Sequence, residues 1–490
     1  MTLKSQAARG LKWQSIEIVS RQLLSLVIFT TLARLLQPSA FGLIGLVGVY
    51  LALVGIFIDQ GIGTALIQRQ DLEPEHINTA FWFNLSCAVV LCLGTMVLAA
   101  PVAMLFKEPR LVPLLRWASL GLVIGASSEI HGTLFIREMD FRRPAIRTIL
   151  SNAAGGITGL VLAWRGYGVW ALIGQQLTTA LAGAVFLWMA SSWRPQFRFS
   201  VRHLKDLMHV GSAVFVPSIL WFFCSQLDQP VIGRFIGAAV LGQYVVGGKI
   251  PIMIRGALYQ PIAAVSMPML SRLQQEHARM CQVIYKGMEL TAVAAFAVFA
   301  GMASVAPDLV TFAFGPQWHP AVYFLQLLAL YNLLLSLLVF IHPTMLAAGG
   351  RKSYIGANSA LAVGAAAACF FGIRIGPHAV VIGLIANLAV MGFVELLLLK
   401  RLMGLSPLQY CRPCLGPAIA AAMMSAAVIA IRITLGAHLP MPVSLGLQIV
   451  VGAGTYLATL KLIAPRSVGN LWNFASIALK RQSEPDAISS

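Results

Sequence analysis

Residues 34–62 read RLLQPSAFGLIGLVGVYLALVGIFIDQGI. Arg34 and the Gln37-Pro38-Ser39 break lead into an apolar run that carries no charge from Phe41 until Asp59. A run of this length is what an α-helix needs to cross a hydrocarbon layer about 30 Å thick. The same order returns at an offset of 200 residues, over 234–262. Arg34 meets Arg234, Gly42 meets Gly242, Gly48 meets Gly248, Gln60 meets Gln260 and Ile62 meets Ile262. In both copies an Arg closes one helix, a short break follows, and a Gly lies just inside the next.

Outward from these two segments, apolar runs of about 20 residues mark further spans. The set is 13–34, 41–66, 78–100, 112–135, 145–164, 168–190, 209–235, 240–265, 286–306, 319–348, 354–374, 378–400, 409–433 and 442–463. The predicted fold is an all-α polytopic membrane protein of about fourteen transmembrane helices. Six spans separate the two copies of the repeat, an even number, so both take the same orientation. This implies two parallel six-helix lobes, an arrangement found in transporters that rock about a central site.

Composition supports the bilayer as solvent. Of 490 residues, 58% are hydrophobic and 11% charged, with mean hydropathy +0.80. A soluble domain would leave much of that apolar surface in water. The 35 Lys and Arg against 17 Asp and Glu give a formal charge of +18. These cations sit mostly between apolar blocks, where they face lipid head groups, so nucleic acid is not the expected partner. With the N-terminus inside, alternate loops collect cations such as Arg142, Arg143, Arg147, Arg194, Arg198, Lys400 and Arg401. The opposite side holds about a third as many, which predicts an N-in, C-in topology.

Seven scattered Cys do not form a disulfide framework, and Cys411-Arg-Pro-Cys414 is a lone pair without a second half. No metal or cofactor is expected. Lys4, Arg9 and Lys12 resemble the opening of a signal peptide, but no small-x-small cleavage site follows, which predicts a retained first helix. The expected organisation is an N-terminal lobe at 1–205, a C-terminal lobe at 206–405, a terminal helix pair at 406–465 and a cytoplasmic tail at 466–490. The basic connections around 191–208 and 266–285 are expected to lie along the membrane surface as amphipathic stretches.

Several motifs are familiar as a set. They are Ala33-Arg34-Leu35-Leu36-Gln37-Pro38-Ser39-Ala40-Phe41-Gly42-Leu43, Asp59-Gln60-Gly61-Ile62-Gly63, Gly166-Tyr167-Gly168-Val169-Trp170-Ala171-Leu172 and Trp193-Arg194-Pro195. Through them the chain resembles the polysaccharide flippases of the multidrug/oligosaccharidyl-lipid/polysaccharide exporter superfamily, closest to colanic-acid-type exopolysaccharide exporters. None of the motifs is catalytic; each is a packing or turn signature. The resemblance implies export of an undecaprenyl-diphosphate-linked oligosaccharide to the periplasmic leaflet of the bacterial inner membrane, by a non-enzyme. It also implies a polar, cationic cavity for the diphosphate and glycan, with helices 1, 2, 7 and 8 lining the lobe interface. A polysaccharide polymerase and chain-length machinery are the expected neighbours of a monomeric chain.

Ionisable groups at bilayer depth are costly, so each needs a partner or a polar cavity. Arg21, Lys249 and Arg255 are the candidate diphosphate or glycan contacts, joined by the amides of Gln60 and Gln260. Arg suits bidentate phosphate recognition and Lys supplies a point charge. Glu17 lies four residues before Arg21, the spacing of a helical ion pair. Glu17, Asp59 and Asp228 are the candidate coupling or gating carboxylates, with Arg234 or Lys249 as possible partners of Asp228. The competing readings are a plain Glu17–Arg21 pair, an outward-snorkelling Lys249 and a locally satisfied Asp59. Glu129, His131 and Glu395 are expected at the interface, and His342 as a packed feature of its helix or a coupling group. Trp13, Trp82, Tyr167, Trp170, Trp193, Trp318 and Tyr410 are assigned to the aromatic belt.

Two other functions compete. An integral-membrane polymerase or glycosyltransferase would need a carboxylate–metal motif or a large loop, and neither is present in the sequence. A cation-coupled drug exporter would carry acidic groups at depth where this chain carries Arg21, Lys249 and Arg255. With no nucleotide-binding motif, the expected mechanism is alternating access without ATP hydrolysis.

Overall fold

The computed structural model describes residues 3–274, 276–436 and 438–465, and the expected tail at 466–490 lies outside them. The described residues form α-helices: α1 (Leu3–Leu35), α2 (Pro38–Asp59), α3 (Ile62–Gln68), α4 (Pro74–Phe106), α5 (Leu111–Arg137), α6 (Arg142–Trp164) and α7 (Trp170–Ala190). They continue as α8 (Val201–Gln226), α9 (Asp228–Phe235), α10 (Ala238–Arg272) and α11 (His277–Ala295), which runs through a π-helical turn at Phe296–Ala300 into α12 (Gly301–Phe314). The remainder are α13 (Ala321–Leu337), α14 (Ile341–Ala347), α15 (Arg351–Gly372), α16 (Pro377–Met403), α17 (Pro407–Cys411), α18 (Leu415–Thr434) and α19 (Met441–Ile463). Among the described residues, 12 helices are long and apolar enough to cross a membrane. Large side chains such as Val97, Met104 and Trp164 stand on the outside, as they do where lipid is the solvent.

Proline and glycine explain where the helices depart from the predicted spans. The run 41–66 is two helices, because Gln60 and Gly61 both take left-handed backbone, with φ of 43° and 76°. At Gly61 a Cβ would lie 2.6 Å from the Gly211 carbonyl oxygen, so the two backbones meet with no side chain between them. The run 209–235 starts earlier, at Val201, and stops at Gln226. Pro230 lacks the N–H that would bond the Gln226 carbonyl, and α9 begins afresh at Asp228. Pro307 likewise frees the Ala303 carbonyl inside α12, and Gln326 Nε2 takes that acceptor at 3.1 Å. The two basic connections are not amphipathic surface helices. Residues 191–200 are non-helical, and only a tight turn separates α10 from α11.

The repeat is visible as a reciprocal contact between the starts of α2 and α10. Gly42 lies against the Ala238 carbonyl so closely that no Cβ fits, and Gly242 lies against the Pro38 carbonyl in the same way. Pro38 and Ala238, like Gly42 and Gly242, are equivalent positions of the repeat.

The chain forms two compact units, Met1–Val246 with Cys369–Pro377, and Gly247–Ala368 with His378–Ser490. In the first, α6 packs along α1 and α7, and α5 along α4 and α7. Ile62, Leu66, Ala80, Phe81, Ile130 and Leu207 form one of its cores. The second has a core around Met280, Ile284, Met288, Phe340 and Leu399, and another around Val305, Met424, Val428 and Tyr456. Trp318 and Tyr410, expected in the aromatic belt, are fully buried instead. The Tyr410 hydroxyl donates to the Leu337 carbonyl at 2.6 Å, at the end of α13 where that acceptor is released from the helix.

Candidate functional site

Glycines on α6 draw three helices together. Ile28 of α1 lies over Gly156, while Thr179 and Gln175 of α7 lie over Gly155 and Gly159, positions where a Cβ would collide with them. Toward the start of α6, Arg147 lies against Gly183 of α7, where a Cβ would stand 3.0 Å from its Nε. On α1, which packs along α6, Arg21 Nε is 3.9 Å from Glu17 Oε1. The predicted Glu17–Arg21 pair therefore forms, but it is not closed. The Nε–H of both Arg21 and Arg147 is buried without a hydrogen-bond acceptor. A buried donor left unsatisfied costs about 1–3 kcal/mol. The arrangement has donors and positive charge to spare, which an anion removes.

Arg147, counted with the cytoplasmic-side cations, lies in the second turn of α6, which begins at Arg142, over a glycine that makes room for the guanidinium. Nearer the helix start, Arg142 lies over the Trp13 ring at 5.5 Å and Arg143 pairs with Asp140 at 3.4 Å.

Lys249 and Arg255 lie half-buried on α10, in the second unit, and both are engaged with neighbouring groups. Gly247 brings this helix against Ala321 and Phe324 of α13. The side chain of Gln260 lies outside the described residues. Gln60 spends its amide locally, with Nε2 donating to the Phe57 carbonyl at 2.7 Å at the end of α2. Asp59 is exposed next to it, near Gly63, and its charge is felt by Glu129 of α5. Asp228 accepts from the Tyr244 hydroxyl and from the Gln229 N–H at 2.9 Å.

Two groups expected at the interface are enclosed by protein. His131 is fully buried, its ring 4.8 Å from that of Trp188 and 5.1 Å from that of Trp193. Glu395 is 3% exposed, more than one turn before the end of α16, and its Oε1 lies 3.1 Å from His342 Nε2 of α14. Tyr354 packs edge-on to the same imidazole. We expect His342→Ala to strand a buried carboxyl and cost about 2–3 kcal/mol. Thermal unfolding in detergent checks this, and adding Glu395→Leu to His342→Ala should restore part of the loss.

The second unit also holds a cavity of about 430 Å³ between the π turn, α12, α13 and α18. Its lining is mostly apolar, with Ser304 and Ser425 hydrogen-bonded at 2.8 Å and Arg432 at its edge.

Twelve helices long and apolar enough to cross a bilayer, among the described residues, define a multi-pass membrane protein. The chain belongs to the polysaccharide biosynthesis protein family, whose profile matches residues 31–323. It is 28% identical over 325 residues to the succinoglycan biosynthesis transport protein ExoT of Rhizobium meliloti (strain 1021), covering 66% of this chain and 65% of that one. It is 26% identical to the lipopolysaccharide biosynthesis protein WzxC of Escherichia coli (strain K12), over 69% of each chain. Similarity to the teichuronic acid biosynthesis protein TuaB of Bacillus subtilis (strain 168) spans 96% of this chain and 98% of that one, at 24% identity. The fold is that of the lipid II flippase MurJ in an inward closed conformation, with a TM-score of 0.74, 13% identity, and coverage of 94% of this chain and all of that one.

Proposed function

We propose that this protein flips undecaprenyl-diphosphate-linked oligosaccharide repeat units across the bacterial inner membrane for surface polysaccharide synthesis, acting as a transporter and not as an enzyme. The observation that carries this reading is that Arg21 of α1 and Arg147 of the adjoining α6 each keep a buried Nε–H without an acceptor, while the only carboxylate paired with either among the described residues is Glu17, 3.9 Å from Arg21. Such a site accepts a diphosphate, which supplies both acceptors and compensating charge. Lys249 and Arg255 of α10 are further contacts for the same cargo, and the amide carbonyl of Gln60 and the amide of Gln260 are contacts for its sugars.

In this reading α8 and α10 supply two crossings beyond the twelve, and both termini face the cytoplasm. Six-helix lobes at 1–205 and 206–405 alternate in access, with the pair at 406–465 added. Asp59, Glu129 and Asp228, with the His342–Glu395 pair, are the groups through which an ion gradient couples to transport. Polymerase and chain-length proteins receive the flipped unit from a monomer. The surplus of guanidinium over carboxylate in the cluster argues against a drug-cation exporter.

Deletion of the gene tests the proposal. Intact repeat units should accumulate on the cytoplasmic leaflet while surface polysaccharide disappears. Repeat units that reach the periplasmic leaflet and remain unpolymerised would move the assignment to a polymerase.

A further inference from the structure

Outside the transport site, the ends of α4 and α8 bring together side chains with metal-ligand chemistry. One donor atom from each of Glu73, His76 and His203 lies within 4.8 Å of the others. We propose that these three residues bind one divalent transition-metal ion of the zinc class, with Ser200 and Asp206 orienting the two imidazoles.

The hydrogen bonds around the two rings are compatible with this role. His203 Nδ1 lies 2.7 Å from Ser200 Oγ, and its Nε2 lies 3.0 Å from Glu73 Oε2. With Nδ1–H donating to the Ser200 hydroxyl, the Nε2 lone pair faces the Glu73 carboxylate, where a cation would be shared between them. His76 is 1% exposed, and its Nδ1 accepts from the Glu73 N–H at 3.2 Å. That bond places the lone pair on Nδ1 and the proton on Nε2. The Nε2–H is buried and has no hydrogen-bond partner, with Asp206 Oδ2 3.9 Å away. A metal ion on Nδ1 replaces a long capping bond, and a small closure by Asp206 satisfies the orphan N–H. The result is the carboxylate–histidine–metal arrangement that fixes tautomer and ring orientation in metal sites.

Two imidazoles and a carboxylate suit zinc and its neighbours, and three protein ligands leave a position for water. The ligands are held in advance by contacts that do not involve them. Asn78 Oδ1 accepts from Gln196 N–H at 2.8 Å and Thr79 Oγ1 from Ser200 N–H at 3.2 Å, while Trp82 Nε1 donates to the Gln196 carbonyl at 2.8 Å. Arg69, 3.5 Å from Asp206, balances the second carboxylate. Bound metal therefore ties α4 to α8 across the connection that follows α7.

The test uses the full-length protein in detergent, stripped with EDTA and titrated with Zn²⁺ by calorimetry and with Co²⁺ by visible absorption. We expect one ion per chain and a Co²⁺ spectrum typical of tetrahedral nitrogen and oxygen ligands. Asp206→Asn and Ser200→Ala should weaken binding about 10–100-fold, the range for residues that orient metal ligands. His203→Ala should weaken it at least as much, and Zn²⁺ should raise the melting temperature of the wild type but not of this variant. Should His203→Ala fail to fold, the exposed Glu73→Gln replaces it. No saturable binding by the wild type, or unchanged affinity in a folded His203→Ala or Glu73→Gln protein, overturns the proposal.

Discussion

Gly42→Ala and Gly242→Ala will each cut transport by an order of magnitude or more, although either change should favour the helix in isolation. Alanine is about 1 kcal/mol better than glycine inside a helix. At these two positions the added Cβ has no room, because Gly42 lies on the Ala238 carbonyl and Gly242 on the Pro38 carbonyl. A backbone oxygen cannot rotate away as a side chain can, so the starts of α2 and α10 must separate. Overpacking of this kind costs about 1–3 kcal/mol, which outweighs the gain in propensity. The contact is reciprocal, and a displacement at either glycine moves both repeat copies. Gly48 and Gly55 lie on α2 with nothing near their would-be Cβ, so alanine there should leave transport near wild type. Complementation of a deletion strain, scored by surface polysaccharide and by protein level in the membrane, separates the two classes.

Arg147→Met will reduce transport roughly 10–100-fold, the size expected when one or two charge-assisted hydrogen bonds to the cargo are lost. Methionine keeps the packing against Gly183 while removing the charge and the donors. Arg147→Lys should recover only part of the activity, since a point charge does not reproduce bidentate phosphate recognition. Gly183→Leu should act in the same direction without touching the charge, because its side chain would occupy the place where the guanidinium lies. Initial rates at several cargo concentrations check the set. A normal rate in Arg147→Met at wild-type protein levels would remove this residue from the site.

The division between what the sequence revealed and what it concealed follows physical lines. Long uncharged runs announce helices in lipid, and the Arg and Gly positions of the 34–62 and 234–262 segments pointed to α2 and α10 as related elements. The Glu17–Arg21 pair followed from spacing alone. Arg147 reads in the sequence as a cytoplasmic-side cation, and its place against Gly183 of another helix is something no local pattern encodes. Glu395 and His342, 53 residues apart, were assigned separately because only packing brings α14 onto α16. The break at Gln60–Gly61 was missed for the same reason: the approach of Gly211 selects the left-handed backbone there. Gln60, expected to face sugar, has its amide N–H committed to capping α2.

The most direct measurement places the purified protein in vesicles carrying undecaprenyl-diphosphate-linked oligosaccharide in both leaflets, with an enzyme outside that cleaves exposed glycan. With wild-type protein, and an ion gradient or membrane potential supplied, all of the cargo should become susceptible, and with Arg147→Met the inner pool should be consumed far more slowly. If the inner-leaflet cargo stays protected under every imposed gradient, this chain does not flip lipid-linked oligosaccharide.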